Sequence, residues 1–582
     1  MSRSWNPELG KKDTIHNGTA ATFVELEDCD IHKAFDVEAL AAAKRDERRR
    51  GLTLAKLRGQ IKWDKLGAVM ALHCLNILVD AVPCLAEHRE TILRHIRTTH
   101  AMHRMPDGRK TKIHPMATSS YNEGNTGENA NVLDDLLLRQ LDLPKEEVAR
   151  LLVIVGGDQS TVEKLRTLQK FLADCPHGYQ RYGWVLPLIQ LWHMGWADLE
   201  RILATHWGIS HSDLTSFVAM NNIFGRKVTN SKRPDYYPAQ HLVFDTLMAA
   251  IIDCWRTHLG VKDLDAYFAS HPTTDPPVTQ DANTVPPGER SPFIGDQVLA
   301  NEVLRMRDSM WHYVFQWAIS DGDIGHAMNV MAIWTFTFMG CGKTKYTNEL
   351  LELACNFLME YSPELCLAIM NNWLCNLTGN IGCHFPMDLL QEKNIKRLKQ
   401  MSQRRDASFG GDFFKNIVAL NIRAFLLSTQ SMKSAVQLGA KSEVHRSKRC
   451  AAALNEGSKK MAAAQIHKFC EGRSAGRRAQ DDFATGFQKF KSGTRIQDFI
   501  ERTIRDAGDL HGADATDVAV DDAVERAEGE NSQGVLPNMI VDGVLVAADD
   551  WDDDEQDTND DINIFGAEAI SSSEESSSSD ED

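Results

Sequence analysis

Apolar and polar positions follow a helical period through most of the chain. Between residues 31 and 105, for example, Leu54, Leu57 and Ile61 recur at spacings of three and four residues, which is typical of amphipathic helices. Similar spacing returns in residues 297–400. The pattern predicts a helix-rich protein.

Two apolar runs depart from this period and predict buried strands. Leu151–Val155 is short and rich in β-branched residues, and it leads directly into Gly156, Gly157 and Asp158. The second run, Trp184–Trp192, ends at His193. The polar stretch between the runs has helical spacing, and Ser160 with Glu163 matches a capping box at its start. This strand–helix–strand pattern predicts an α/β unit within the helix-rich chain.

Charge is distributed unevenly. Residues 393–507 carry 24 basic and 10 acidic side chains, whereas residues 508–582 carry 24 acidic side chains and one Arg. The formal net charge of −17 is therefore dominated by the acidic tail, which is also rich in Ser. Such a composition cannot bury enough apolar surface to fold, so we expect the tail to be disordered.

These shifts in composition predict four regions. Residues 1–130 form a mainly helical region and a loop, residues 131–400 a core with a proline-rich loop at 271–293, residues 401–507 a basic helical segment, and residues 508–582 the acidic tail. The 12 cysteines show no paired spacing, which favours reduced thiols in an intracellular protein. We find no signal peptide and no run long enough to span a membrane, so we expect no membrane partner.

Asp158 and His193 are the first candidates for chemistry. The carboxyl ends of parallel strands meet at one edge of a sheet, so the two side chains could lie together there. Metal-dependent nucleic-acid enzymes often hold a carboxylate in this way. Asp158 could equally be a helix cap, and His193 a partly buried structural histidine.

Asp388 and Glu392 are separated by one helical turn, which places both carboxylates on one face. Such a pair suits a divalent metal or a general base, but it also suits a polar helix face with a Glu392–Lys396 ion pair. Asp321 and Asp323 are open to the same two interpretations, as metal ligands or as turn and cap residues.

The segment 334–353 contains Gly342-Lys343-Thr344, the end of a P-loop motif. The first glycine of that motif is replaced by Thr337, so a tight glycine turn before a helix is the alternative interpretation. The basic segment predicts contacts with nucleic-acid phosphates, although it could instead be a solvated surface or a partner of the acidic tail. The tail itself is a possible ligand for basic proteins such as histones.

Taken together, the motifs resemble a large fungal family known only as a domain of unknown function (number sixty-five eighty-nine), abundant in mushroom-forming species. The ordered matches are NGTAAT (17–22), GGDQST (156–161), WxxPLIQLWHMGW (184–196), HWG (206–208), DYYP (235–238), AISDGDIGHA (318–327), YTNELLEL (346–353) and MDLLQEKNIKRLK (387–399).

The resemblance implies a mobile-element origin, because such proteins look like relatives of transposases with a ribonuclease H-like core and a large helical insertion. On that pattern Asp158 and Glu392 would be catalytic and would hold Mg or Mn, with His193 and Asp388 in support. Relatives commonly carry an Asp-Asn motif upstream of NGTAAT, and residues 1–16 hold none. We therefore expect a transposase-like protein that acts on or binds nucleic acid and is nuclear. If the missing motif is catalytic, we expect it to be truncated or inactive.

Two other functions remain open from the sequence. The protein could be a non-enzymatic scaffold that binds nucleic acid or chromatin through its basic segment and acidic tail. The weaker alternative is a nucleotide-binding protein that uses Lys343 in a degenerate P-loop.

Overall fold

Helices dominate the structure, a computed structural model, and 64% of the described residues are helical, which confirms the prediction of a helix-rich protein. The structure describes residues 2–4, 14–16, 18–271, 295–402, 411–435 and 440–508. The proline-rich loop and the acidic tail fall outside the described residues.

Twelve α-helices precede the proline-rich loop in the described residues. They are α1 (Ile31–Ala34), α2 (Val37–Arg45), α3 (Leu54–Gln60), α4 (Trp63–Ala81), α5 (Arg89–Arg97), α6 (Thr126–Asp134), α7 (Lys145–Val148), α8 (Gln159–Phe171), α9 (Leu191–His206), α10 (Phe217–Ile223), α11 (Tyr236–Leu259) and α12 (Leu264–Ser270).

Nine helices follow among the described residues. They are α13 (Gln297–Asp321), α14 (Ile324–Cys341), α15 (Thr344–Cys355), α16 (Pro363–Asn372), α17 (Met387–Ser402), α18 (Ile422–Ala435), α19 (Ala440–Ala463), α20 (Asp482–Ser492) and α21 (Arg495–Gly508). No helix of the described part is long and apolar enough to cross a membrane.

Strands are few and short, and in the described residues they form four two-stranded sheets. The antiparallel pairs are β1 (Ser2–Ser4) with β2 (Thr14–His16), β3 (Thr22–Val24) with β4 (Ile113–Pro115), and β7 (Leu374–Cys375) with β8 (Phe385–Pro386). The parallel pair is β5 (Val153–Gly157) with β6 (Val185–Ile189).

The β5–α8–β6 unit has the predicted order, with Val153 opposite Val185 and Gly157 opposite Ile189. Both glycines at the end of β5 are required by close contacts. A Cβ on Gly156 would lie 2.3 Å from the Gln190 amide nitrogen, and one on Gly157 would lie 2.6 Å from the Thr161 side chain. A larger residue at either position would therefore displace the Gln190 or Thr161 side chain.

Two details of this unit differ from the prediction. Helix α8 begins one residue before Ser160, and its N-cap is Asp158 rather than Ser160, because the Asp158 carboxylate accepts a hydrogen bond from the Thr161 amide. The capping-box prediction was wrong. Strand β6 ends at Ile189 and α9 begins at Leu191, so His193 lies in the first turn of a helix and not at the end of a strand.

The main hydrophobic core contains residues from Ala34 to Ile500. Helix α14 lies at its centre, where Ile333, Trp334 and Phe336 are fully buried. Helix α20 packs against it so closely that a Cβ on Gly486 would lie 1.8 Å from the Phe336 carbonyl oxygen. The C-terminal part of the basic segment is therefore an integral part of the fold.

Candidate functional site

The candidate site is built from α8, α9 and α17 at the end of the parallel strand pair. Asp158 is the N-cap of α8, with its Oδ1 2.7 Å from the Thr161 amide nitrogen. The structural interpretation of Asp158 as a helix cap is thus confirmed. One carboxylate oxygen is used in this cap, and the charge of the group still acts on its surroundings.

Asp388 joins α17 to the start of α9. Its carboxylate accepts hydrogen bonds from the backbone amides of Trp192, at 3.1 Å, and His193, at 3.0 Å. The same group lies 3.0 Å from Nδ1 of the His193 ring. Asp388 therefore caps α9, although it belongs to another helix 195 residues further along the chain. It also fixes the orientation of the imidazole.

Glu392 lies one turn further along α17 and meets the other side of the same imidazole. Its Oε1 is 3.8 Å from Nε2 of His193, and 45% of its side chain is exposed. The predicted shared face for Asp388 and Glu392 is therefore present. The ring of His193 lies between the two carboxylates.

The site is electrostatically crowded. Burial alone would lower the pKa of His193, but the hydrogen bond and charge of Asp388 outweigh it and, with Glu392 and Asp158, raise that pKa above its usual range. Burial raises the pKa of Glu392, and the charges of Asp388 and Asp158 add to this effect against the opposing charges of His193 and Lys399. Asp158, His193 and Glu392 thus influence one another.

Glu123 is a member of this cluster that the sequence did not reveal. It lies on the loop before α6, where its amide donates to the Thr19 hydroxyl at 3.2 Å. Burial of its carboxylate raises the pKa of Glu123, although the residue as a whole is exposed, and the charges of Asp158 and Glu392 raise it further. A lone Glu in a polar loop carries no periodic signal, so only the folded chain brings it here.

Tyr346 closes the site from α15. Its hydroxyl lies 3.5 Å from the carbonyl oxygen of His193. Burial raises the pKa of Tyr346, and the charges of Glu200 and Asp158 contribute in the same direction. The phenol therefore stays protonated and can only donate or accept hydrogen bonds.

The other predicted sites have structural roles. Asp321 makes a two-point ion pair with Arg97, at 2.9 and 3.1 Å, and Asp323 caps α14 through the His326 amide. The cap interpretation is confirmed for Asp323, whereas Asp321 is the last residue of α13 and serves as an ion-pair partner.

The P-loop interpretation requires a strand before Gly342, but residues up to Cys341 are helical. A run that is apolar on every side is compatible with a buried strand or a buried helix, and here it forms a buried helix. Gly342 instead ends α14 with a positive φ of 87°, and the Lys343 amino group lies 2.5 Å from the Glu200 carboxylate. The predicted glycine turn before a helix is therefore confirmed.

Part of the basic segment's charge is paired inside the protein. Arg473 pairs with Asp296 at 2.6 Å, and Arg477 pairs with Asp213 at 2.7 Å. His467 lies between Asp253, at 2.6 Å, and Glu302, at 3.2 Å. These acidic residues belong to the region before residue 392, so the basic segment is held to it by ion pairs.

A helix-rich architecture with a parallel strand–helix–strand unit does not by itself indicate an activity. Comparison with known families identifies the family. The chain belongs to the Family of unknown function (DUF6589), whose model matches residues 47–445. No curated protein and no solved structure matches the chain.

Proposed function

We propose that this protein is a mobile-element-derived, transposase-like protein that cleaves or joins nucleic-acid strands at the cluster of Asp158, Glu392 and Glu123. The observation that carries the proposal is that Asp158 follows the end of the parallel strand β5, while Glu392 on α17 lies 3.8 Å from the His193 ring at the start of α9. The β5–α8–β6 unit would be part of a ribonuclease H-like core, with the later helices as its insertion.

A divalent cation is the cofactor that this chemistry implies. Carboxylate oxygens suit Mg or Mn, and the pKa values of Glu123 and Glu392 are raised mainly by burial and further by nearby carboxylates, a cost to their charged forms that a bound cation would reduce. The donor chemistry therefore fits. Within the described residues no group of three His, Cys, Asp or Glu side chains could hold a metal ion as it stands. We therefore propose which residues would be ligands and not how they would be arranged around the ion. When bound, the ion would activate a water molecule or polarise a phosphoryl oxygen.

His193 and Asp388 would support this chemistry. Asp388 accepts hydrogen bonds from two backbone amides and from the imidazole, so we assign it the positioning of His193 and not metal binding. Since Nδ1 faces Asp388, Nε2 is the nitrogen directed towards Glu392. A protonated His193 in this orientation can donate to a phosphate oxygen or deliver a proton to a leaving oxygen.

The basic segment would bind the nucleic-acid backbone with the charges that remain at its surface. Lys459, Lys468, Arg478 and Lys491 are exposed, in contrast to the arginines paired with the core. Binding through such side chains releases counterions and therefore weakens as salt rises.

The test is a cleavage and strand-transfer assay with the full chain. Single- and double-stranded DNA and RNA would be incubated with Mg or Mn, and Asp158→Asn and Glu392→Gln should each abolish product. Asn is as good an N-cap as Asp, so Asp158→Asn removes the charge and keeps the helix. The matched control is Asp263→Asn, at the exposed cap of α12, which should retain full activity.

A second outcome would point to the alternative of a non-enzymatic scaffold. Asp158 and Asp388 both serve as caps, and that role alone accounts for their positions. Salt-sensitive binding of nucleic acid that is unchanged by Asp158→Asn, with no cleavage under any metal, would overturn the enzymatic proposal and support the scaffold.

A further inference from the structure

An aromatic cleft lies near the candidate site, because its lining includes Trp192, which directly precedes His193, and Lys393, which directly follows Glu392. It has a cavity volume of about 80 Å³. It lies between the start of α9, helices α11, α13 and α17, and strand β8. The residues that matter for its chemistry are Trp192, Tyr236, Gln240, Gln316, Phe385 and Lys393.

The walls of the cleft are aromatic and held in place. The ring centroids of Trp192 and Tyr236 are 5.2 Å apart. The Tyr236 hydroxyl is fixed by Gln240, whose amide nitrogen lies 3.3 Å away, and by Gln316. A rigid pair of rings with amide groups at its edge offers both a stacking face and hydrogen-bonding partners.

One polar atom of the cleft wall is unsatisfied. The indole nitrogen of Trp192 is buried and has no hydrogen-bond partner among the described residues. An indole N–H can only donate, and none of the described residues supplies its acceptor. In the cleft lining, the ammonium of Lys393 lies 5.9 Å from the centre of the Phe385 ring. Lys393 directly follows Glu392 in the chain.

We propose that this cleft binds one unstacked base of a single-stranded nucleic acid whose backbone passes the carboxylate cluster. A nucleobase is planar, stacks on aromatic rings and carries donors and acceptors that the amide groups of Gln240 and Gln316 can meet. Lys393 is placed to meet the phosphate that follows. The inference rests on the proposed function for the identity of the ligand, and it adds a site that selects single-stranded or distorted substrate.

The test removes single bases from the oligonucleotide and aromatic side chains from the cleft. Fluorescence anisotropy of the full chain with EDTA would measure the affinity for a labelled single-stranded oligonucleotide and for copies with one abasic position moved along it. We expect one abasic position to weaken binding by roughly 5- to 150-fold, the range of base–aromatic stacking. In Trp192→Leu and in Phe385→Leu the intact oligonucleotide should bind more weakly, and that abasic penalty should disappear.

Controls separate this result from misfolding and from the catalytic proposal. Phe385→Leu is the safer variant because the ring is only partly buried, and Phe171→Leu, an exposed ring at the far end of α8, should behave as wild type. Lack of an abasic penalty in the wild type, or a penalty unchanged in both cleft variants, would overturn the inference, as would the absence of any oligonucleotide binding. Weaker binding of the abasic oligonucleotide without any cleavage activity would support the base-binding site and contradict the proposed enzymatic function.

Discussion

His467 offers a direct test of whether the basic segment is part of the folded core. Its imidazole is 4% exposed and lies between Asp253 and Glu302, which are 2% and 0% exposed. Burial alone would lower the pKa of His467, but hydrogen bonds to Asp253 and Glu302 raise it to about 11. His467→Gln would leave the two carboxylates without this cation.

The magnitude follows from that pKa. The difference between about 11 in the folded chain and 6.5 in the unfolded chain corresponds to about 6 kcal/mol at ~1.36 kcal/mol per pH unit. This is an upper value, because breaking a buried ion pair costs about 3–5 kcal/mol in proteins. We therefore expect His467→Gln to lower the free energy of unfolding by about 3–5 kcal/mol at pH 6.5.

The pH dependence gives the sharper result. Because the folded pKa of His467 is raised, its contribution is complete below about pH 6.5 and is lost as pH rises towards 11. The stability difference between wild type and His467→Gln should shrink by about 3 kcal/mol between pH 6.5 and 9. Urea denaturation at both pH values measures this, with the exposed neighbour Lys468→Gln as control. An equal difference at both pH values would refute the reasoning.

Two further outcomes follow from the same structure. Asp388→Ala should cost about 2–4 kcal/mol of unfolding free energy, because two backbone amides at the start of α9 lose their acceptor, while Asp388→Asn should cost less. In both variants the His193 pKa, measured by NMR, should fall; an unchanged value would show that Asp388 does not control the ring. Lys343→Ala should leave ATP binding unchanged and cost under about 1 kcal/mol, since Lys343 forms a partly exposed pair with Glu200. Calorimetry that shows ATP binding lost in this variant would restore the P-loop interpretation.

Local patterns predicted the local parts of the fold. The order of strand, Asp158 and helix could be derived from one apolar run, two glycines and the helical spacing after them. The spacing of Asp388 and Glu392 likewise predicted their common face. Each of these features depends on residues within a few turns of one another.

The remaining parts depend on contacts between distant segments. The sequence around Asp388 contains nothing that indicates α9, whose first turn it caps from 195 residues away. Glu123 joins the cluster only because its loop is held against Thr19. Similarly, the run before Gly342 is apolar on every side, so periodicity alone could not distinguish a buried strand from a buried helix.

Because α20 packs closely on α14, the folded part of the chain extends beyond the part that the family model matches. The family match ends at residue 445, yet Gly486 and the Phe side chains of α20 cover the most apolar helix of the core. A fragment that ends at residue 445 would expose Phe336 and its apolar neighbours to solvent. Such an exposed apolar patch promotes aggregation. Biochemical work on this protein therefore needs a chain that extends at least through α21.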